Sequence, residues 1–298
     1  MTSPQEWLHG ARPRTLPLAV APILGAAAVV APHERNVLVL VLCAAVALAL
    51  QIGVNYANDY SDGIRGTDAQ RAVTGGPVRL VGQGLASPRA VKRAALLSFA
   101  AACACGLAVV AVAGDWRLLF IGAAAVPAAW FYTGGSRPYG YAGLGEVFVF
   151  IFFGLAAVLG TVFAMSGTIT TSALWAATGE GLLAAAVLMV NNIRDIATDA
   201  PQGKRTLAVR LGDRRGRLAY VVMTAVGMLT IVLAVSSTLP TFAITLLGAT
   251  AAGWTLTLGR RALGNAYGPA LVPVLASTSR GALAVSALAL ALVVVTRS

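Results

Sequence analysis

The stretch VLVLVLCAAVALALQIGVNYANDYSDGIRGTD, Val37 to Asp68, joins an uncharged apolar run to a cluster of Asn and Asp. About 20 apolar residues of helix cross the hydrocarbon core of a bilayer, and the run from Val37 to Ala57 supplies them. Asn55, Asn58 or Asp59, and Asp62 follow at i, i+3 or i+4, and i+7. That spacing predicts one face of a helix continuing past the span. Gly63 and Gly66 come next, so Asp68 is expected where the chain folds back. Acids beside a bilayer are costly unless they are paired, hydrated or liganded, and this placement asks for a reason.

Outward from this stretch the same apolar character recurs. The 298 residues are 58% hydrophobic and 11% charged, with a mean hydropathy of +0.79, which excludes an ordinary water-soluble domain. Nine apolar spans are read, over about Thr15–Val30, Val37–Ala57, Ala94–Ala113, Trp116–Thr133, Leu144–Met165, Ser172–Ile193, Leu218–Ser236, Pro240–Leu258 and Ser277–Val295. The fold class expected is therefore all-α, a polytopic membrane bundle. No small-residue cleavage site follows the first apolar stretch, so it is expected to stay in the protein.

Alternate connections divide the basic residues unevenly. Nineteen of the 22 Lys and Arg fall on one side of the nine-span arrangement, leaving Arg35, Arg117 and Arg297 on the other. Short cytoplasmic loops retain positive charge, so the N-terminus is expected in the cytoplasm and the C-terminus outside. The net charge of +11 is dispersed through membrane-flanking loops, and no nucleic-acid partner is expected; a lipid bilayer is. Cys43, Cys103 and Cys105 lie inside spans and are expected as packing residues. The long cytoplasmic connections, about 58–92 and 194–217, carry the polar chemistry, and residues 1–298 read as a single transmembrane domain.

The second connection opens with NNIRDIATD, Asn191 to Asp199. Asn191 or Asn192, Asp195 and Asp199 again recur every three or four residues, and Pro201 stops the helix. Five of the eleven acids lie in the two motifs. One such motif alone could be a capped helix end; two, with Asn on the same face each time, point to metal. Magnesium favours a few carboxylates together with phosphate oxygens and water, so Asn55, Asn58, Asp59, Asp62, Asp68, Asn192, Asp195 and Asp199 are the candidate Mg ligands. The nearby cations Arg65, Arg79, Lys204 and Arg205 suit a diphosphate. Asp59-Tyr-Ser-Asp62-Gly63 also resembles the start of the CDP-alcohol phosphatidyltransferase signature, but its continuation is missing. A transporter would place its acids near the midplane; these sit at the cytoplasmic edge.

With both motifs in view the sequence resembles the UbiA superfamily of intramembrane aromatic prenyltransferases, whose motifs are of the N-D-x-x-D-x-x-x-D and D-x-x-x-D types. The first is matched with a longer gap between Asp62 and Asp68. The segments ARPRTLPLAVAPILG (Ala11 to Gly25), TGGPVRLV (Thr74 to Val81), Phe131 to Phe150, and NNIRDIATDAPQGKRTLAVRLG (Asn191 to Gly212) are similar to the 1,4-dihydroxy-2-naphthoate polyprenyltransferases of menaquinone biosynthesis. The resemblance implies a nine-helix bundle with a central cavity capped on the cytoplasmic side, in the plasma membrane of a bacterium. It implies Mg-dependent transfer from a polyprenyl diphosphate to 1,4-dihydroxy-2-naphthoate, or to another aromatic acid such as 4-hydroxybenzoate, with loss of diphosphate and carbon dioxide. Asp59, Asp62, Asp195 and Asp199 would be catalytic through the metal. Arg14, Arg65, Arg79, Tyr132, Arg137, Lys204 and Arg205 would bind diphosphate, and Asn191 and Glu146 would face the acceptor.

Overall fold

The protein was analysed as a computed structural model, which describes residues 2–66 and 78–297. Asp68, Arg71 and the Thr74–Pro77 part of TGGPVRLV lie outside the described residues. Every regular element among the described residues is helical, as the apolar runs predict. The nine apolar helices are α1 (Pro17–Val29), α2 (Val37–Arg65), α3 (Pro88–Ala113), α4 (Leu118–Phe131), α5 (Gly145–Ser166), α6 (Thr171–Arg194), α7 (Leu207–Ser236), α8 (Thr241–Leu263) and α9 (Val272–Arg297). Seven are long and apolar enough to cross a membrane, and the chain is a multi-pass membrane protein.

The nine helices answer to the nine spans read from the sequence, α1 and α4 being the shortest. These two have 13 and 14 residues, roughly 20 Å of rise each, short of a core of about 30 Å. Pro17 sets the start of α1, and α4 ends where the chain turns at Tyr132. Two of the spans hold a buried acid: Glu180 is fully buried within α6, and Glu146 is 3% exposed in the first turn of α5. In α5 the residues Phe150–Leu159 form a π-helix, a widened turn pattern that collects at functional sites.

Helix α6 is the hub, with 72% of its central window buried, and it packs on α7 more extensively than any other pair of helices. Small residues permit this, as bundles in lipid require. A Cβ at Gly179 of α6 would sit 2.8 Å from the Gly227 carbonyl of α7, and one at Gly227 would sit 3.0 Å from the Gly179 carbonyl. On another face of α6 the Ser286 hydroxyl of α9 donates to Glu180 Oε1. Gly25 of α1 lies against that oxygen, where a Cβ would approach to 3.0 Å. The carboxyl is thereby housed among three helices without access to solvent.

Between α1 to α6 lies a cavity of about 730 Å³. Along α2 its lining runs from Cys43 to Asp62, roughly 28 Å at 1.5 Å per residue. The foot is apolar, with Val109, Leu118 and Ile121; the head carries the Asn and Asp side chains of both motifs. The cavity is thus amphiphilic along its long axis.

Candidate active site at the polar end of the cavity

Helix α2 continues without a break two turns beyond the apolar run, to a left-handed C-cap at Gly66 (φ 75°) whose N–H reaches the Asp62 and Gly63 carbonyls. This carries the first motif as a rigid rod. Asn55, Asn58 and Asp62 line the cavity head. Asn55 Nδ2 donates to the Ala11 carbonyl at 2.9 Å, the Thr133 hydroxyl donates to Asn58 Oδ1 at 2.7 Å, and the Tyr141 hydroxyl donates to Asp62 Oδ1 at 2.6 Å.

Asp59 is turned away from this lining. It is 1% exposed, and its two carboxylate oxygens accept the backbone N–H groups of Leu80 and Val81 at 2.8 and 2.9 Å. A carboxylate receiving two amides in this way fixes a loop. The residue just before them, Arg79, is 4% exposed and lines the cavity. So Asp59 stands behind the wall and sets the position of a cation within it.

The second motif repeats the division with a different backbone. Helix α6 ends at Arg194; Asp195 leaves helical geometry (φ −97°, ψ 4°), and a short helix, Ile196–Asp199, restarts beyond it. The expected single helical face is therefore broken at Asp195. Asn191, Asn192 and Asp195 line the cavity, with Asp195 held by Arg194 through two hydrogen bonds of 2.7 Å. Asp199 is fully buried behind it and pairs with Lys204 Nζ at 3.6 Å. Lys204, like Arg79, lines the cavity.

The two motifs are stitched together by a residue that sequence reasoning missed. The Tyr141 ring lies under both the Arg65 guanidinium, at 5.5 Å, and the Lys204 ammonium, at 5.1 Å. Its hydroxyl holds Asp62, and its carbonyl accepts the Arg205 N–H at 3.0 Å. No spacing rule marks a loop tyrosine for such a task. Beside it Tyr139 donates to the Ala128 carbonyl at 2.7 Å, and burial raises its phenol well above the ordinary range, so it stays a neutral donor.

Of the expected diphosphate set, Arg79, Tyr132 and Lys204 line the cavity, whereas Arg14, Arg137 and Arg205 are exposed and do not. Arg65 is also exposed and donates to the Thr133 and Gly135 carbonyls. Arg12 was counted only as a topological charge, yet it lines the cavity. It is the sole non-glycine with positive φ (55°) among the described residues. Such a conformation costs about 1–3 kcal/mol. The 3-10 turn Pro13–Thr15 that follows it separates the directions of Arg12 and Arg14, which a two-residue spacing alone cannot reveal. Glu146 reaches the site indirectly: its Oε1 accepts from Asn192 Nδ2 at 2.9 Å.

Among the described residues no three His, Cys, Asp or Glu side chains gather to cage a metal. One Asp from each motif does share the cavity head with Arg79 and Lys204. That donor set fits a magnesium ion whose remaining ligands are phosphate oxygens and water. An apolar channel ending in this arrangement defines a membrane-embedded site for an amphiphile with an anionic, metal-binding head. Residues 19–266 match the UbiA prenyltransferase family, and the chain belongs to it.

Its relatives agree over most of their length. It is 52% identical to the 1,4-dihydroxy-2-naphthoate octaprenyltransferase of Mycobacterium tuberculosis over 235 residues, 78% of this chain and 79% of that one. It is 46% identical to the protein of the same name from Mycobacterium leprae over 280 residues, 93% and 92% of the two chains. The fold matches a UbiA homologue from Archaeoglobus fulgidus bound to DMAPP and Mg2+, with a TM-score of 0.68 at 14% identity, covering 97% of this chain and 99% of that one.

Proposed function

We propose that the protein transfers a polyprenyl group from polyprenyl diphosphate to 1,4-dihydroxy-2-naphthoate, releasing diphosphate and carbon dioxide and giving the prenylated hydroquinone, demethylmenaquinol, which is demethylmenaquinone in its reduced form. The observation that carries this reading is the cavity itself, whose lining runs roughly 28 Å along α2: acids and cations at one end, apolar walls behind them. The names of the relatives supply the acceptor.

In this reading the diphosphate occupies the head, where Arg12, Arg79 and Lys204 meet its charge, with Tyr132 beside them. Asp62 and Asp195 would hold the metal, with Asn58 and Asn192 nearby and Asp68 named by the motif. Magnesium, when bound, supplies charge neutralisation on the leaving diphosphate. Asp59 and Asp199 serve by fixing Arg79 and Lys204. The prenyl tail runs down the apolar channel past Phe148, Phe152 and Phe153. As the allylic C–O bond breaks, its electron pair leaves with the diphosphate, and a ring carbon of the acceptor forms the new bond; the ring returns to aromaticity as its bond to the carboxylate breaks and carbon dioxide leaves. The walls of the bundle exclude the water that would otherwise capture the allylic cation. Asn191 and Glu146 would lie on the acceptor side.

The charge asymmetry of the loops supports placing the motif end in the cytoplasm of a bacterial plasma membrane. The test of the function is direct. Purified protein is incubated with Mg2+, a polyprenyl diphosphate and 1,4-dihydroxy-2-naphthoate, and product mass and carbon dioxide release are followed. Prenylated, decarboxylated product is expected; its absence, or prenylation of 4-hydroxybenzoate instead, would overturn the acceptor assignment.

A further inference from the structure

Asn192 is expected from its motif as a metal ligand, but its surroundings give it a different task. It lies three residues before Asp195 on α6, one turn and about 4.5 Å farther from the polar mouth. It is 4% exposed, lines the cavity, and donates its Nδ2 to Glu146 Oε1. A carboxylate oxygen accepts and does not donate, so this contact sets which way the carboxamide points. The amide nitrogen is turned to Glu146, and the carbonyl oxygen is left for the cavity.

Glu146 is built in to do this. It stands in the first turn of α5, and Gly145, which opens the helix, allows the close approach to α6: a Cβ there would stand 3.1 Å from Leu188 Cδ2. Glu146 is 3% exposed, and its Oε2 has no hydrogen-bond partner among the described residues. A buried acid held this way is expensive, and orienting one amide accounts for it.

The depth decides what the Asn192 oxygen meets. The diphosphate belongs at the level of Asp195 and Lys204, so the allylic carbon comes next inward and the attacking ring must abut it. Tyr139 and Phe148, stacked with centroids 4.0 Å apart and planes at 24°, flank the cavity at this end and offer a surface for an aromatic ring. A carbonyl oxygen facing that ring accepts a hydrogen bond from a ring hydroxyl. It repels phosphate.

Resting on the prenyl-transfer reading, we infer that Asn192 Oδ1 recognises a hydroxyl of the aromatic acceptor and that Glu146 is the positioning residue that aims it. A site that hydrogen-bonds a substrate hydroxyl discriminates against analogues lacking the proton. The dyad therefore selects hydroxyaromatic acids over their methyl ethers.

The test uses full-length protein in lipid nanodiscs with Mg2+, a polyprenyl diphosphate, and each of 1,4-dihydroxy-2-naphthoate, 4-hydroxybenzoate and their methyl ethers. Glu146→Ala is expected to raise KM for the hydroxy acid about tenfold, the scale of one lost hydrogen bond, to leave KM for the prenyl diphosphate within about twofold, and to erase the preference over the ether. Glu146→Gln keeps an acceptor for Asn192 Nδ2, so it should restore most of that preference. Binding of Mn2+ with inorganic diphosphate, followed by electron paramagnetic resonance, should be unchanged in both variants. Unaltered acceptor KM in Glu146→Ala would overturn the inference, as would a shift confined to Mn2+ binding, which would return Asn192 to the metal. Hydroxyl selectivity with 4-hydroxybenzoate alone would uphold the inference while removing naphthoate as the acceptor. Prenylation of no hydroxyaromatic acid would overturn both.

Discussion

The first motif sits on an unbroken helix, the second on a helix that breaks at Asp195, and yet the two reach the same division of labour. Each sends one acid into the cavity, Asp62 or Asp195, and keeps one behind the wall, Asp59 or Asp199. The hidden acid in each case fixes a cation that the cavity does see. Asp59 does so through the backbone, by holding the N–H groups that follow Arg79; Asp199 does so through the side chain of Lys204. The lesson is that acids spaced three or four residues apart need not share a ligand. A helical face is broad enough to put one carboxylate on substrate and its neighbour on scaffold.

The comparison can be broken most severely at the acids that line the cavity. Asp62→Asn and Asp195→Asn should each lower kcat for prenyl transfer by roughly 10²–10³-fold, the scale set by losing one preorganised electrostatic contact, while detergent thermal unfolding stays near that of the parent. The acids behind the wall should behave in the opposite order. Asp59→Ala strands two backbone amides, at about 1–3 kcal/mol for each left unpaired. Its unfolding temperature should fall well below that of Asp199→Asn, which loses one ion pair at 3.6 Å. Equal losses would show that the two motifs do not use different anchors.

A smaller effect is expected where the motifs are joined. Tyr141→Phe keeps the ring beneath Arg65 and Lys204 but removes the hydrogen bond to Asp62, worth about 0.5–1.5 kcal/mol. Steady-state kinetics should show kcat/KM for the prenyl diphosphate falling several-fold. Smallest of all is a control at the far end of the bundle. Hydrogen bonds from Arg117 hold the Asp115 carboxyl below its ordinary 3.8. A lowered folded-state value means the contact is complete above about pH 4 and is lost as pH falls through that value. Asp115→Asn should leave transfer at neutral pH unchanged.

The fold was legible because lipid imposes a simple rule: apolar runs of fixed length become helices. The rule overstated only the lengths of α1 and α4, which are set by prolines and turns that a hydropathy count does not weigh. It also passed over Glu180, since one acid among apolar residues barely alters the run, although its partners Ser286 and Gly25 come from helices distant in sequence. At the site the spacing located Asp59, Asp62, Asp195 and Asp199 but not their directions. Arg79 and Lys204 were readable as cations near the motifs; Arg12, Thr133 and Tyr141 were not, because their roles arise where loops cross. That Arg12 lines the cavity and Arg14 does not follows from a single left-handed residue.

The roles of the four acids separate in one binding measurement, a Mn2+ titration in the presence of inorganic diphosphate, monitored by electron paramagnetic resonance on the parent protein and on Asp62→Asn, Asp195→Asn, Asp59→Asn and Asp199→Asn. Substitution of either cavity-lining acid is predicted to abolish the diphosphate-dependent Mn2+ signal, whereas substitution of either hidden acid should keep the metal stoichiometry and weaken only the affinity for diphosphate. Loss of Mn2+ in Asp59→Asn or Asp199→Asn, with its retention in Asp62→Asn and Asp195→Asn, would contradict the division of labour on which the site is built.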